Sequence, residues 1–273
     1  MSSRPEFHQL LDESWKCAKT VLCVGIDPSN EMFPTSAPLD ELGILEFSTS
    51  IVDAVSQHVC AIKMNHAHFA SQGHESELES LIGYIHERYP SIPVILDAKR
   101  GDVDSTAEKY AEEAFNRYSA DAVTVNPFMG WDTIEPFISY RQHGVIVLCR
   151  TSNPGSYWLQ DEPSASPMYL RIAERVQKEA NPNLMLVVGA TNEDALVRVR
   201  QTAPDVAFLV PGVGAQGGSA ENVLKLGRRQ DGLGLIVNSS RSVIAQDRKS
   251  SAYFDQVALA AKSLSKSLSL DVA

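Results

Sequence analysis

Eight short apolar runs recur along the 273-residue chain, their starts 22 to 39 residues apart. They are Val21–Ile26, Cys60–Met64, Pro93–Leu96, Ala122–Val125, Val145–Leu148, Leu184–Val188, Val206–Val210 and Leu233–Val237. Each is too short and too evenly apolar for an amphipathic helix, so each reads as a strand buried on both faces. The segments between them carry helical periodicity instead. Ala107, Tyr110, Ala111, Ala114, Phe115 and Tyr118 make one apolar stripe, with Ser105 and Glu108 spaced as a capping box ahead of it. Leu78, Leu81, Ile82 and Ile85 form a second stripe, and Val257, Ala260, Ala261 and Leu264 a third. Eight alternating units of this kind close into an α/β barrel of the (β/α)8, or TIM, class. An open doubly wound sheet would carry a Gly-rich turn after its first strand, and Gly25-Ile26-Asp27-Pro28 is not that turn.

No linker-like boundary interrupts the pattern, so residues 1–273 are expected to form a single domain. Residues 1–20 add a helix with Leu10, Leu11 and Trp15 on one side, residues 21–241 make the barrel, and residues 242–273 supply C-terminal helices. The longest irregular stretch, Ser152–Pro167, directly follows the fifth run and is expected to be an active-site loop.

Composition narrows the partners. A formal net charge of −10 argues against nucleic acid or a membrane surface, both of which need a basic face. No stretch reaches the roughly 18 consecutive apolar residues of a membrane span, and the polar N-terminus lacks a secretory h-region. Cys17, Cys23, Cys60 and Cys149 show neither a CxxC pair nor metal-ligand spacing, and read as reduced thiols in a cytoplasmic protein. His66, His68 and His74 cluster after the second run, but lack an acidic partner at metal-binding spacing, so no metal site is expected.

Barrel chemistry sits where strands end. The first run ends at Asp27, the second carries Lys63, and the third leads into Asp97-Ala98-Lys99-Arg100-Gly101-Asp102. Asp97 and Lys99 are two apart, so on a regular strand both point to one side, within reach of Lys63. The seventh run enters Pro211-Gly212-Val213-Gly214-Ala215-Gln216-Gly217-Gly218, where four glycines in eight residues let the backbone approach an anion. Arg241 follows the eighth run and offers a charged fork, which makes a phosphorylated substrate the favoured ligand.

These motifs resemble those of the orotidine 5′-phosphate decarboxylases. DAKRGD fits the family's DxKxxD signature in the wording of its longer bacterial subgroup. Lys63 stands at the family's strand-two lysine, and Thr106 follows the last aspartate by four residues. PGVGAQGG looks like the phosphate loop, and Ser152 in TSNPG like the base-contacting serine. The resemblance runs from Val21 to Arg241 and implies cofactor-free decarboxylation of orotidine 5′-monophosphate to UMP, the last step of pyrimidine nucleotide synthesis. It implies a catalytic set of Lys63, Asp97, Lys99 and Asp102, with Asp27, Thr106, Ser152, Gln216 and Arg241 binding substrate. It also implies a homodimer in which Asp102 and Thr106 serve the partner's site. Many shorter members carry a tyrosine on the phosphate-covering loop, whereas here glycines follow Gln216, which leaves a shorter loop or Ser152–Pro167 as the cover. Two alternatives remain: a Mg²⁺-dependent sibling acting on a keto-sugar phosphate, and a non-catalytic nucleotide-binding barrel. The sibling needs a carboxylate where Lys63 stands, and the binding barrel would lack Lys99.

Overall fold

The computed structural model describes residues 4–29, 41–163, 165–214 and 217–270. Eight strands, all paired in parallel, close into a barrel in chain order, β8 pairing back onto β1. They are β1 (Leu22–Ile26), β2 (Ala61–Asn65), β3 (Val94–Arg100), β4 (Ala122–Val125), β5 (Gly144–Arg150), β6 (Leu184–Val188), β7 (Ala207–Pro211) and β8 (Leu235–Ser239). Helices alternate with the strands and bury the anticipated stripes. Leu78, Leu81, Ile82 and Ile85 are fully buried in the helix Glu75–Arg88, and Val257 and Ala261 in the helix Tyr253–Ser267.

Three differences from the sequence reading have local causes. Strand β8 begins at Leu235 rather than Leu233, because Gly232 and Gly234 adopt φ of +80° and +88° in a turn pinned by Asp231 accepting from the Leu233 amide. Strands β3 and β5 run on to Arg100 and Arg150, so the residues that looked like strand-end loops are partly in the sheet. The Ser105–Glu108 capping box is not made. The helix starts at Asp104, two residues before a Ser105 cap would start it, and its N-cap Val103 makes no side-chain capping hydrogen bond. The stripe from Ala107 to Tyr118 nonetheless packs inward, passing through a wider π turn at Glu113–Arg117.

The N-terminal helix, Phe7–Ala18, closes the mouth at which the strands begin. Its buried face comprises Phe7, Leu10, Leu11, Ser14 and Trp15. Trp15 Nε1 donates to the Leu235 carbonyl at 2.8 Å, Ser14 Oγ to the Cys60 carbonyl at 2.7 Å, and the His8 amide to Asn183 Oδ1 at 2.8 Å. Gly144 is small for this reason, since a Cβ there would lie 2.3 Å from the Phe7 ring. With that end plugged, the strands' C-terminal ends are left to form a cavity. Among the described residues no helix is long and apolar enough to cross a membrane.

Truncating Trp15 to alanine removes a fully buried indole and its hydrogen bond to Leu235. The expected cost is about 3–5 kcal/mol of stability, read from the denaturant midpoint. A loss below about 1 kcal/mol would show that the plug is not part of the core.

Candidate active site

A cavity of about 820 Å³ opens at the C-terminal ends of the strands. That volume suits a small organic ligand. One wall is charged and the other apolar. Leu148, Val187, Leu209 and Val213 supply the apolar wall from the β5–β7 side, a surface suited to a flat ring. Asp27, Lys63, Asp97, Lys99 and Thr124 line the opposite wall, from the ends of β1 to β4.

The charged wall is an alternating array. Asp97 lies between two ammonium groups, with Lys63 Nζ 3.1 Å from Oδ2 and Lys99 Nζ 2.6 Å from Oδ1. Lys63 also stands 3.8 Å from Asp27 Oδ1. Lys63 and Asp97 are buried, whereas the Lys99 side chain is 47% exposed, so Lys99 is the charge that a ligand can meet. Burial opposes charge on Lys63, but Asp27 and Asp97 more than offset it and raise its pKa above the ordinary lysine value. Burial likewise works against an ionised Asp97, yet Lys63 and Lys99, with hydrogen bonds from Lys99 and Thr124, hold its carboxyl well below the usual range. Burial pushes the neighbouring Cys23 thiol up to about 12, so it is a neutral core group rather than a nucleophile.

Asp97 and Lys99 meet, but not by regular strand alternation. The β3–β4 register shifts between Leu96 and Arg100, and Lys99 takes the left-handed φ of +47°. A non-glycine residue in that region is strained, and such strain concentrates where function holds a side chain in place. The Lys99 amide donates to Thr124 Oγ1 at 2.9 Å, which fixes the bulge to β4.

Ser152 and Arg241 also line this cavity, Ser152 just beyond β5 and Arg241 at the start of a short helix after β8. Gln216 lies outside the described residues. Asp102 and Thr106 do not line the cavity of their own chain. Asp102 Oδ1 accepts from the Val103 amide at 2.8 Å, and Thr106 is exposed in the first turn of the helix that follows β3. Of the histidines, His68 borders the cavity, while His66 contacts the Tyr118 hydroxyl and Arg100, and His74 pairs with Glu77. Among the described residues no group of three or more His, Cys, Asp or Glu could hold a metal ion.

Sequence reasoning passed over two residues. The Thr124 hydroxyl donates to Asp97 Oδ1, and the Ser240 hydroxyl donates to Asp27 Oδ2, each at 2.9 Å. Thr124 had a signal, being the one polar residue in the run Ala122–Val125. Ser240 was masked by its neighbours in Asn238-Ser239-Ser240-Arg241, where nothing distinguishes one hydroxyl from the next.

The loop after β5 borders the cavity through Ser152 and Asn153, and its short helix Tyr157–Gln160 anchors the strand end. Gln160 Oε1 accepts from the Thr151 amide at 2.9 Å, and Asp161 pairs with buried Arg150 at 2.9 Å. The expected active-site loop is therefore at the cavity and tied to the barrel.

The family model described as "Orotidine 5'-phosphate decarboxylase / HUMPS family" matches residues 20–254. An orotidine 5′-phosphate decarboxylase of Dechloromonas aromatica (strain RCB) is 47% identical over 258 residues, covering 93% of this chain and 96% of that protein. One from Ralstonia pickettii (strain 12J) is 48% identical over 241 residues, covering 87% of this chain and 89% of its own. Among solved structures, the Leishmania donovani OMP decarboxylase superposes with a TM-score of 0.84 at 36% identity, over 96% of this chain and 97% of that one.

The array makes a linked pH prediction. Because Asp97's carboxyl is held below its unfolded value, its contribution to stability is present above the ordinary carboxylate pKa and is lost as pH falls. Asp97→Asn leaves the buried Lys63 ammonium short of a partner, so at pH 7 it should cost about 3–5 kcal/mol. The gap to the wild type should narrow below about pH 5, as the wild-type carboxyl is protonated in the unfolded chain. Denaturation midpoints of both proteins across that range test it. A gap independent of pH would contradict the assignment.

Proposed function

The chain belongs to the orotidine 5′-phosphate decarboxylase / HUMPS family, and from that premise we propose that it converts orotidine 5′-monophosphate to UMP and CO2 without a cofactor. The observation that carries the reading is the buried Lys63–Asp97–Lys99 array with its exposed end at Lys99. Loss of CO2 leaves an electron pair on an sp² ring carbon, C6, with no electron sink to receive it. A fixed ammonium beside that carbon lowers the energy of the developing anion.

The step balances within the array. The bond from C6 to its carboxylate breaks, CO2 departs, and the pair left on C6 takes a proton from the Lys99 ammonium. Solvent returns that proton to the neutral amine. Asp97, kept ionised by two cations, holds Lys99 in place. Lys63 joins Asp97 to Asp27, and the Asp27 side chain borders the cavity, where its carboxylate accepts from a ribose hydroxyl. Ser152 binds the pyrimidine amide, while Arg241 and Gln216 take the phosphate at the Gly-rich loop. A Mg²⁺-dependent sibling chemistry is disfavoured by the donor set, because Lys63 places an ammonium where a hard cation would need an oxygen.

The reading includes a cytoplasmic homodimer with shared sites. Asp102 and Thr106 lie just beyond the end of β3, and in the loops after β3 and β4 Val103, Phe128 and Met129 are 45%, 66% and 44% exposed. Large apolar side chains left in solvent together support an association surface. Met129 Cε comes within 3.6 Å of where a Cβ on Gly101 would sit, so the β3 and β4 loops form one patch. In the dimer of this reading, the two-fold axis passes through that patch and Asp102 and Thr106 serve the partner's cavity.

Two measurements test this reading. The purified protein should release CO2 from orotidine 5′-monophosphate at the same rate with excess EDTA, whereas Lys99→Ala should lose turnover while still binding UMP. Full activity of Lys99→Ala would remove the lysine from the chemistry. For the shared site, Lys63→Ala and Asp102→Ala should each be inactive alone. Refolded together they should recover about a quarter of the sites, because half the dimers are mixed and each has one intact site. Well-folded mixed dimers with no recovery would place Asp102 in its own chain's site.

A further inference from the structure

Thr124 is the side chain through which β4 touches both functional parts of the β3 bulge. It is 1% exposed. Its hydroxyl donates to Asp97 Oδ1 and accepts from the Lys99 backbone amide, both at 2.9 Å. A hydroxyl has one proton and lone pairs to spare, so both bonds are made at once. The two groups it joins are the ones that need restraint. Asp97 Oδ1 also receives the Lys99 ammonium, and Lys99 holds a left-handed backbone that the chain would otherwise relax.

We propose that Thr124 is a positioning residue for the decarboxylation, its hydroxyl locking the Asp97 carboxylate and the Lys99 backbone into one rigid unit so that the Lys99 ammonium is aimed at the reacting carbon. The inference rests on the decarboxylase reading above. Without the hydroxyl, Asp97 keeps its two cations, Lys63 and Lys99, but loses the bond that sets its plane. Its Oδ1 then depends on Lys99 alone, and the half-buried Lys99 amide loses its acceptor. The ammonium can then swing on a mobile partner. A displacement of about 1 Å at a reacting group costs on the order of a hundredfold in rate. Ground-state affinity is set elsewhere, by the phosphate, ribose and base contacts. Ser240 holds Asp27 on the other side of Lys63 in the same way, so the ribose contact keeps its own support.

Thr124→Val keeps the side chain's shape and removes the hydroxyl, and Thr124→Ser keeps the hydroxyl and removes a methyl. In single-turnover assays on the full chain, the chemical step of Thr124→Val should fall about a hundredfold. Its affinity for UMP should stay within about twofold of wild type, because no phosphate, ribose or base contact is altered. Thr124→Ser should restore most of the lost rate. If Thr124→Val does not fold, Thr124→Ala carries the same comparison. An unchanged chemical step overturns the proposal, and so does a parallel loss of rate and UMP affinity, which a merely structural role would give. A Thr124→Ser rate as low as that of the variant without a hydroxyl also overturns it. Failure of the wild type to decarboxylate would instead strike the decarboxylase reading itself.

Discussion

A buried carboxylate between two ammonium groups is the interaction on which the rest of the site depends. Asp97 alone would be neutralised by burial, and Lys63 alone would shed its proton in the same surroundings. Together, with Asp27 beyond, each keeps the other charged. The array thus fixes charge at the cavity wall before any ligand arrives. A fixed charge needs no reorganisation when the reaction develops its own, which makes it worth more than the same charge in water.

The barrel is arranged around that requirement. Three adjacent strands, β1 to β3, deliver Asp27, Lys63 and the Asp97–Lys99 pair, and β4 delivers Thr124. The parallel order puts all their C-terminal ends at one mouth. The N-terminal helix shuts the other mouth with Phe7 and Trp15, so the core is filled from below and the polar cluster is confined to the top. Apolar residues of β5 to β7 face the array across the cavity, giving a ligand one charged side and one dry side.

Much of this was legible in the chain. The eight apolar runs led to the eight strands because strands buried on both faces leave no polar alternation to confuse the reading. Lys63, Asp97 and Lys99 stood out because several ionisable groups converge at successive strand ends, where a single pair would read as a structural ion pair of the barrel rim. The bulge at Lys99 was not legible. Local spacing predicts regular alternation, and only the pairing of β3 with β4 shows the shift. The false capping box had a similar origin, since Ser105 and Glu108 have the right spacing but the preceding turn starts the helix at Asp104. Thr124 and Ser240 act through neighbours distant in sequence, so their roles depend on contacts that no local pattern encodes.

The central claim is that the site is built to meet negative charge at C6. Affinity for a uridylate analogue bearing an anionic oxygen at that carbon, compared with UMP by calorimetry, tests it most directly. The wild type should prefer the anionic analogue by at least about a hundredfold, as sites complementary to a transition state do. Lys99→Ala should lose most of that preference while keeping its affinity for UMP. Equal affinity of the wild type for the two ligands would contradict the account.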